Sequence, residues 1–388
     1  MSIEYSNRLK KLPPYLFVEV DKAKQGIVKQ GKDVIDIGIG DPDMPTPKNI
    51  ISVLQDQAEN KANHQYPSNR GIGVLREEIA KWCKKRFSIS LDSEKEILPL
   101  LGSKEGIGHI PVAFISSEED VVLVSDPGYP VYNSGTILAG GTPYKMALLK
   151  ENNFLPVLKD IPETIAKRAK LMHINYPNNP TSAVATEEFF KEVIEFAHKY
   201  NVIVCHDAAY TEISYDGYIA PSFLETDGAK DVGIEFHSLS KTFNMTGWRI
   251  AFAAGNEKVL DGLAKVKSNM DSGIFQAVQY AGIEALKLGS DFDEQRNAVY
   301  QERLDAFYNG LIDMGIKIDK PKATFYVWFP VPDGYTSKSF AMKVLREAHV
   351  VITPGNGFGE FGEGYVRAAL TVDADRIKEA TKRIKSIL

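Results

Sequence analysis

The chain has 388 residues, enough for one large domain and a smaller one rather than a single small core. Hydrophobic residues make up 44% and charged residues 25%, an ordinary globular balance, and no basic stripe accompanies the net charge of −5, which argues against a nucleic-acid partner. The two cysteines, Cys83 and Cys205, lie in unrelated contexts and exclude a disulfide framework; with no apolar signal core at the N-terminus and no run long enough to span a bilayer, a cytoplasmic location is expected.

Residues 8 to 31 read as an extended arm through Pro13-Pro14 and then a helix. Residues 34 to 40 alternate as a short strand, and Gly40 offers a place where backbone can approach a ligand closely, although a tight turn explains it equally well. Pro47 suits the first position of a helix reaching about Asn60. The loop Tyr66-Pro-Ser-Asn-Arg-Gly-Ile-Gly precedes Ile72, Leu75, Ile79, Trp82 and Cys83, which recur at helical spacing and belong to a core. A short apolar run at 97 to 101 leads into Gly102-Ser103-Lys104, which opens another helix. Its free N–H groups and dipole can hold an anion, with Ser103 acting only as an N-cap the plainer alternative.

An α/β rhythm follows. Strand-like runs at 121–124, 171–175, 202–206, 233–237 and 250–254 lack alternation and so suit a largely parallel sheet covered on both faces, with a helix clearest at 186 to 200. Ligands bind such sheets beyond the carboxyl ends of the strands, and the chemically useful residues fall there: Asp126 and Tyr129, Asn175 and Asn179, Asp207 and Tyr210, Ser238 and Lys241. Asp207 ends an apolar strand, where a carboxylate is costly to bury unless a cation meets it. His206 and His237 at strand ends read as core residues or supports of the site, and no spaced His/Cys cluster suggests a metal.

Residues 234 to 254 place Lys241 among Ser238, Ser240 and Thr242, with Arg249 eight positions on. Burial and a nearby fixed cation lower a lysine's pKa and make its amine useful, while the hydroxyls and Arg249 can hold a phosphate. A lysine beside a phosphate clamp is what a pyridoxal-phosphate site needs; a solvated lysine between two strands is the plain alternative. Ser238-Leu-Ser-Lys241 also matches the Ser-x-x-Lys of penicillin-recognising hydrolases, but the companion Ser-Asp-Asn and Lys-Thr-Gly motifs are absent. The glycine run from 355 to 364 lacks a Gly-Lys-Ser/Thr ending and is no P-loop.

Asn179, Asp207, Tyr210, Lys241 and Arg249, in this order and spacing, resemble the class I/II pyridoxal-phosphate aminotransferases of fold type I, and the resemblance covers nearly the whole chain. It implies an α/β fold with a large domain at 46–290 around a mostly parallel sheet, and a smaller α+β domain formed by 291–388 and part of an arm at 1–45. It further implies that Lys241 joins pyridoxal 5'-phosphate as a Schiff base, that Asp207 partners the ring nitrogen, that Asn179 and Tyr210 bind the phenolic oxygen and that Tyr129 stacks on the ring. Ser103, Lys104, Ser238, Ser240 and Arg249 would serve the phosphate, reached by Tyr66 from the second subunit of a homodimer, and Arg367 would grip the substrate α-carboxylate. Cis bonds before Pro127 and Pro180 are expected on the same ground. One residue departs from the family pattern: Ser182 stands where glycine usually follows Asn-Pro-Thr.

Within the family, Lys11-Leu-Pro-Pro-Tyr-Leu-Phe-Val-Glu-Val, Ile37-Gly-Ile-Gly-Asp-Pro-Asp, Thr324-Phe-Tyr-Val-Trp and Thr353-Pro-Gly-Asn-Gly-Phe-Gly look most like the LL-diaminopimelate aminotransferases. That likeness implies transamination between LL-2,6-diaminopimelate and 2-oxoglutarate, with Tyr15 and Gly40 touching substrate. Aspartate, aromatic or alanine aminotransferases, and less closely a carbon–sulfur lyase, share the fold. In the C-terminal third a helix is expected from about Asp291 to Met314 with Gly315 as its stop, then strands near 324–329, 351–353 and 365–370, and a helix capped by Thr336.

Overall fold

The computed structural model describes residues 3–13 and 17–388. The apolar runs build a seven-stranded sheet from β1 (Ile97–Leu100), β2 (Val121–Asp126), β3 (Thr142–Ala147), β4 (Ala169–Asn175), β5 (Ile203–Asp207), β6 (Gly233–Ser238) and β7 (Ala251–Gly255). Their order is β1-β7-β6-β5-β4-β2-β3; β7 runs antiparallel to both its neighbours and every other pairing is parallel. Neighbouring residues of β2 enter different apolar layers, Val121 and Leu123 one and Val122 and Val124 the other, so both faces of the sheet are covered, as unalternating strands require. The edge strand β3 escapes a reading of apolar runs because its Thr142, Pro143 and Lys145 suit an exposed edge.

Helices flank the sheet: α1 (Gly73–Phe87), at the expected helical spacing, α2 (Ser103–Phe114), opened at Gly102-Ser103-Lys104, α3 (Val131–Ala139), not anticipated from the sequence, and α4 (Glu187–Tyr200), capped by the Thr186 hydroxyl. Two caps differ from the sequence-based expectation. Pro47 sits at the N-cap of its helix rather than at the first turn, and Gly102 (φ 83°) is the N-cap of α2, leaving Ser103 as its first residue with its side chain at the ligand cavity.

A third core joins α5 (Ser290–Asp313) to a three-stranded antiparallel sheet of β8 (Tyr326–Pro330), β9 (Thr353–Pro354) and β10 (Tyr365–Ala369). Gly315 follows α5 at φ 79°, and Thr336 caps the next helix, both where the sequence indicates. Ile35–Asp36 pairs in parallel with Val350–Val351, and residues 209–215, which a division by chain position gives to the large domain, bury Tyr210, Ile213 and Tyr215 in this core. Arg303 locks the N-terminal segment down by a two-pronged bond to Asp43 (2.7 and 2.8 Å) and a third bond to Leu370 O.

Candidate active site

The carboxyl ends of β2, β4, β5 and β6 face the C-terminal core, and a cavity of about 430 Å³ opens there. Its wall includes Asp207 and Tyr210 beyond β5, Ser238 and Lys241 beyond β6, and Ser103 and Lys104 at the start of α2. Tyr129, Asn179, Gly40 and Arg367 line it too, although up to 329 residues separate bonded partners here. Ser240 is buried but is not on this wall, and Arg249 lines a neighbouring cavity instead. Tyr66 is 92% exposed and lies outside the cavity of its own chain. Tyr15 falls outside the described residues. The bonds before Pro127 and Pro180 are cis, as is one not anticipated, before Pro177.

Lys241 follows β6 on a single helical turn and donates to the Gly40 carbonyl at 3.0 Å. Gly40 is required by packing: a Cβ there would lie 2.1 Å from the Tyr326 hydroxyl. Burial is the largest influence on Lys241; Arg367 and Arg249 add to it while Asp41 and Asp207 oppose, and the pKa is lowered to about 8. Reaction of the cofactor-free protein with pyridoxal phosphate is therefore expected to rise with pH and level off above about 8, because the neutral amine is the nucleophile and is fully formed only above its own pKa. Absorbance kinetics across pH 6 to 10 check this; a rate still climbing at the ordinary lysine value would contradict it.

Asp207 is buried, and burial raises its pKa while a 2.8 Å bond from the Tyr132 hydroxyl to Oδ2 pulls the other way. Its Oδ1 has no hydrogen-bond partner. A buried carboxylate with one satisfied oxygen and one vacant one, at a cavity wall, is a receptor for a single N–H donor. The protonated ring nitrogen of pyridoxal phosphate is such a donor. At the other side α2 presents its first N–H groups beside Ser103, Lys104 and Ser238, an anion site of the kind a phosphate needs. Glycine at 102 leaves room for the Arg249 guanidinium, which a Cβ would meet at 2.1 Å. The residues present fit that cofactor.

Arg367 projects from β10 and is buried, with Nη1 donating to Asn179 Oδ1 and Nη2 to Gly38 O, both at 2.8 Å. Its guanidinium lies 4.2 Å from the Tyr326 ring centroid and 4.6 Å from that of Phe358, a fixed orientation in a weakly polar slot. Burial lowers its pKa, yet it stays charged. Asn175, at the end of β4, accepts from Asn179 N–H (2.8 Å) and donates to Asp207 O (2.6 Å), so one side chain ties two strand ends together.

Sequence reasoning missed Tyr132 and Tyr326. Tyr132 lies in the first turn of α3, three residues after Tyr129, and is fully buried, stacked on His173 at 5.0 Å. Tyr326 bonds its hydroxyl to that of Tyr210 at 3.0 Å. The three-residue spacing from Tyr129 is the only local signal for the first; the second lies in the Thr324-Phe-Tyr-Val-Trp stretch, where nothing local marks a role for its hydroxyl. Tyr132→Phe is expected to strand Asp207 Oδ2 and cost about 1–3 kcal/mol, read by denaturant unfolding of the cofactor-free protein. Unchanged stability would mean that Tyr132 does not support this carboxylate. Behind Asp207, His206 and His237 both bond Glu235, at 2.8 and 3.1 Å, in a fully buried brace. Glu105, His109 and Asp271 also gather within 4.8 Å, but the buried Lys267 ammonium already bridges the two carboxylates at 3.2 and 2.7 Å.

Residues 32–384 match the family model described as aminotransferase class I and II. The chain belongs to this aminotransferase family. It is 54% identical to the LL-diaminopimelate aminotransferase of Aquifex aeolicus, over 99% of each chain. It is 53% identical to the protein of the same name from Moorella thermoacetica, over 100% of this chain and 99% of the relative. Among solved structures, substrate-bound BacF from Bacillus subtilis superposes with a TM-score of 0.94 at 37% identity, covering 100% of this aminotransferase and 98% of BacF. The aminotransferase has the family's pyridoxal-phosphate dependence, and its fold is that of fold type I.

Proposed function

We propose that this aminotransferase moves an amino group from LL-2,6-diaminopimelate to 2-oxoglutarate, giving tetrahydrodipicolinate and glutamate, as a step in lysine biosynthesis. The observation that carries the reading is end-to-end identity above one half with several relatives of that name. Bound pyridoxal phosphate supplies an electron sink for charge developing at the substrate α-carbon. Asp207 keeps a proton on the ring nitrogen through its vacant oxygen, and Tyr210 and Asn179 serve the phenolic oxygen. Ser103, Lys104, Ser238 and Arg249 hold the phosphate, with Ser240 supporting the turn that carries Lys241. Tyr129 covers the ring. The Arg367 fork, steadied by Asn179 and Gly38, fixes the substrate carboxylate, and the Lys241 amine takes the α-proton and returns it to the acceptor carbon.

A substrate panel tests this. Glutamate formation from 2-oxoglutarate should be fastest with LL-diaminopimelate, ahead of aspartate, alanine and tyrosine; preference for one of those three would overturn the specificity, and keto-acid release without glutamate would indicate a lyase.

The same reading makes the enzyme a cytoplasmic homodimer, in keeping with its two buried, unpaired thiols and the exposed Tyr66. Each Tyr66 would reach the phosphate of the partner's site. Mixing inactive Lys241→Ala protein with Tyr66→Ala protein should restore part of the activity, because mixed dimers contain one intact site. Sedimentation of an active monomer would contradict the shared site.

A further inference from the structure

Ser182, the residue that departs from the family pattern, has a left-handed backbone (φ 61°), and so does Thr324 (φ 68°), just before β8. Such a backbone disfavours any side chain, and most of all a β-branched one, so it persists only where surroundings hold it. Both residues are buried, and their hydroxyl oxygens are 2.9 Å apart. Ser182 Oγ is also 2.7 Å from Tyr326 O, and Tyr326 N–H donates to Thr324 Oγ1 at 3.0 Å. A carbonyl only accepts, so the Ser182 proton goes to Tyr326 O. Thr324 must then donate to Ser182. The three bonds close a ring in which every proton has a partner.

Each side of the ring is braced separately. Thr324 N–H donates to Ile213 O at 2.9 Å, and Tyr215 hydroxyl donates to Thr324 O at 2.5 Å. Ser182 N–H donates to Asn178 O, and Asn178 N–H to Ala183 O, both at 2.9 Å. The loop so held carries Asn179, which accepts from Arg367, and the strand carries Tyr326, whose ring lies against the same guanidinium.

We propose that Ser182 and Thr324 are positioning residues, a latch that sets the Asn179 loop against the start of β8 and thereby fixes the two walls of the carboxylate-binding slot. The proposal rests on the assignment of Arg367 to the substrate carboxylate. Ser182→Ala and Thr324→Val each open the ring without removing a group from the cavity. In the cofactor-loaded enzyme, each should raise KM about tenfold for long and short amino-acid substrates alike while kcat stays within about twofold. The double variant should be no worse than the weaker single one, since either change opens the same ring. Thr324→Ser keeps the hydroxyl and should behave as wild type.

Amide hydrogen exchange supplies a readout independent of turnover: residues 178–183 should exchange faster in Ser182→Ala and Thr324→Val, and not in Thr324→Ser. Unchanged exchange in that loop would overturn the latch. So would a parallel fall in kcat, cofactor affinity and melting temperature, which marks general damage, or fully additive effects in the double variant. If wild-type protein transaminates no amino acid, the functional assignment fails, and the exchange result alone decides the latch.

Discussion

Replacing Lys241 by alanine is expected to lower transamination by at least about 10²–10⁴-fold, the range over which a positioned acid–base group contributes. Among the described residues no other lysine is placed to substitute: Lys104, the other lysine on the cavity wall, is exposed at the start of α2, whereas the Lys241 amine is enclosed against the Gly40 carbonyl. Lys241→Arg separates charge from chemistry. It keeps a cation near the Gly40 carbonyl but cannot surrender its proton at working pH, so it should be as inactive as the alanine variant. Activity in either variant within about tenfold of wild type would remove the lysine from the reaction, and with it the proposed mechanism.

Arg367→Ala is expected to cost one to two decades or more in kcat/KM for every amino-acid substrate while the cofactor remains bound, because a charge-assisted bond contributes about 1.5–3 kcal/mol and a fork makes two. The loss should not depend on the side chain, since the carboxylate is common to all substrates. Arg367→Lys should recover little: a point charge cannot reproduce both the bond to Asn179 Oδ1 and that to Gly38 O. Equilibrium cofactor binding is the control. If cofactor is lost along with activity, Arg367 supports the cavity as a whole and the carboxylate assignment fails.

Part of the candidate site was legible from type and position at strand ends, because a parallel sheet exposes its carboxyl ends whatever the strand order. Asp207, Lys241 and Asn179 follow apolar runs in the sequence itself, and all three line the cavity. Ser240 shows where that logic stops. It lies one residue from Lys241, yet a helical turn points neighbours in different directions, and its side chain is away from the wall.

Helical spacing in α1, the Thr186 and Thr336 caps, the Gly315 stop and the covered sheet follow from near-neighbour physics, so the chain's own residues determine them. Pairings across the chain do not. Tyr132 meets Asp207 across 75 positions, Asn179 meets Arg367 across 188, and Ser182 meets Thr324 across 142. Which strand lies beside which, and how the C-terminal core seats against the sheet, decides those contacts. Periodicity reports only which face of an element is apolar, whereas a buried hydrogen bond depends on the position of a partner that the local sequence does not specify.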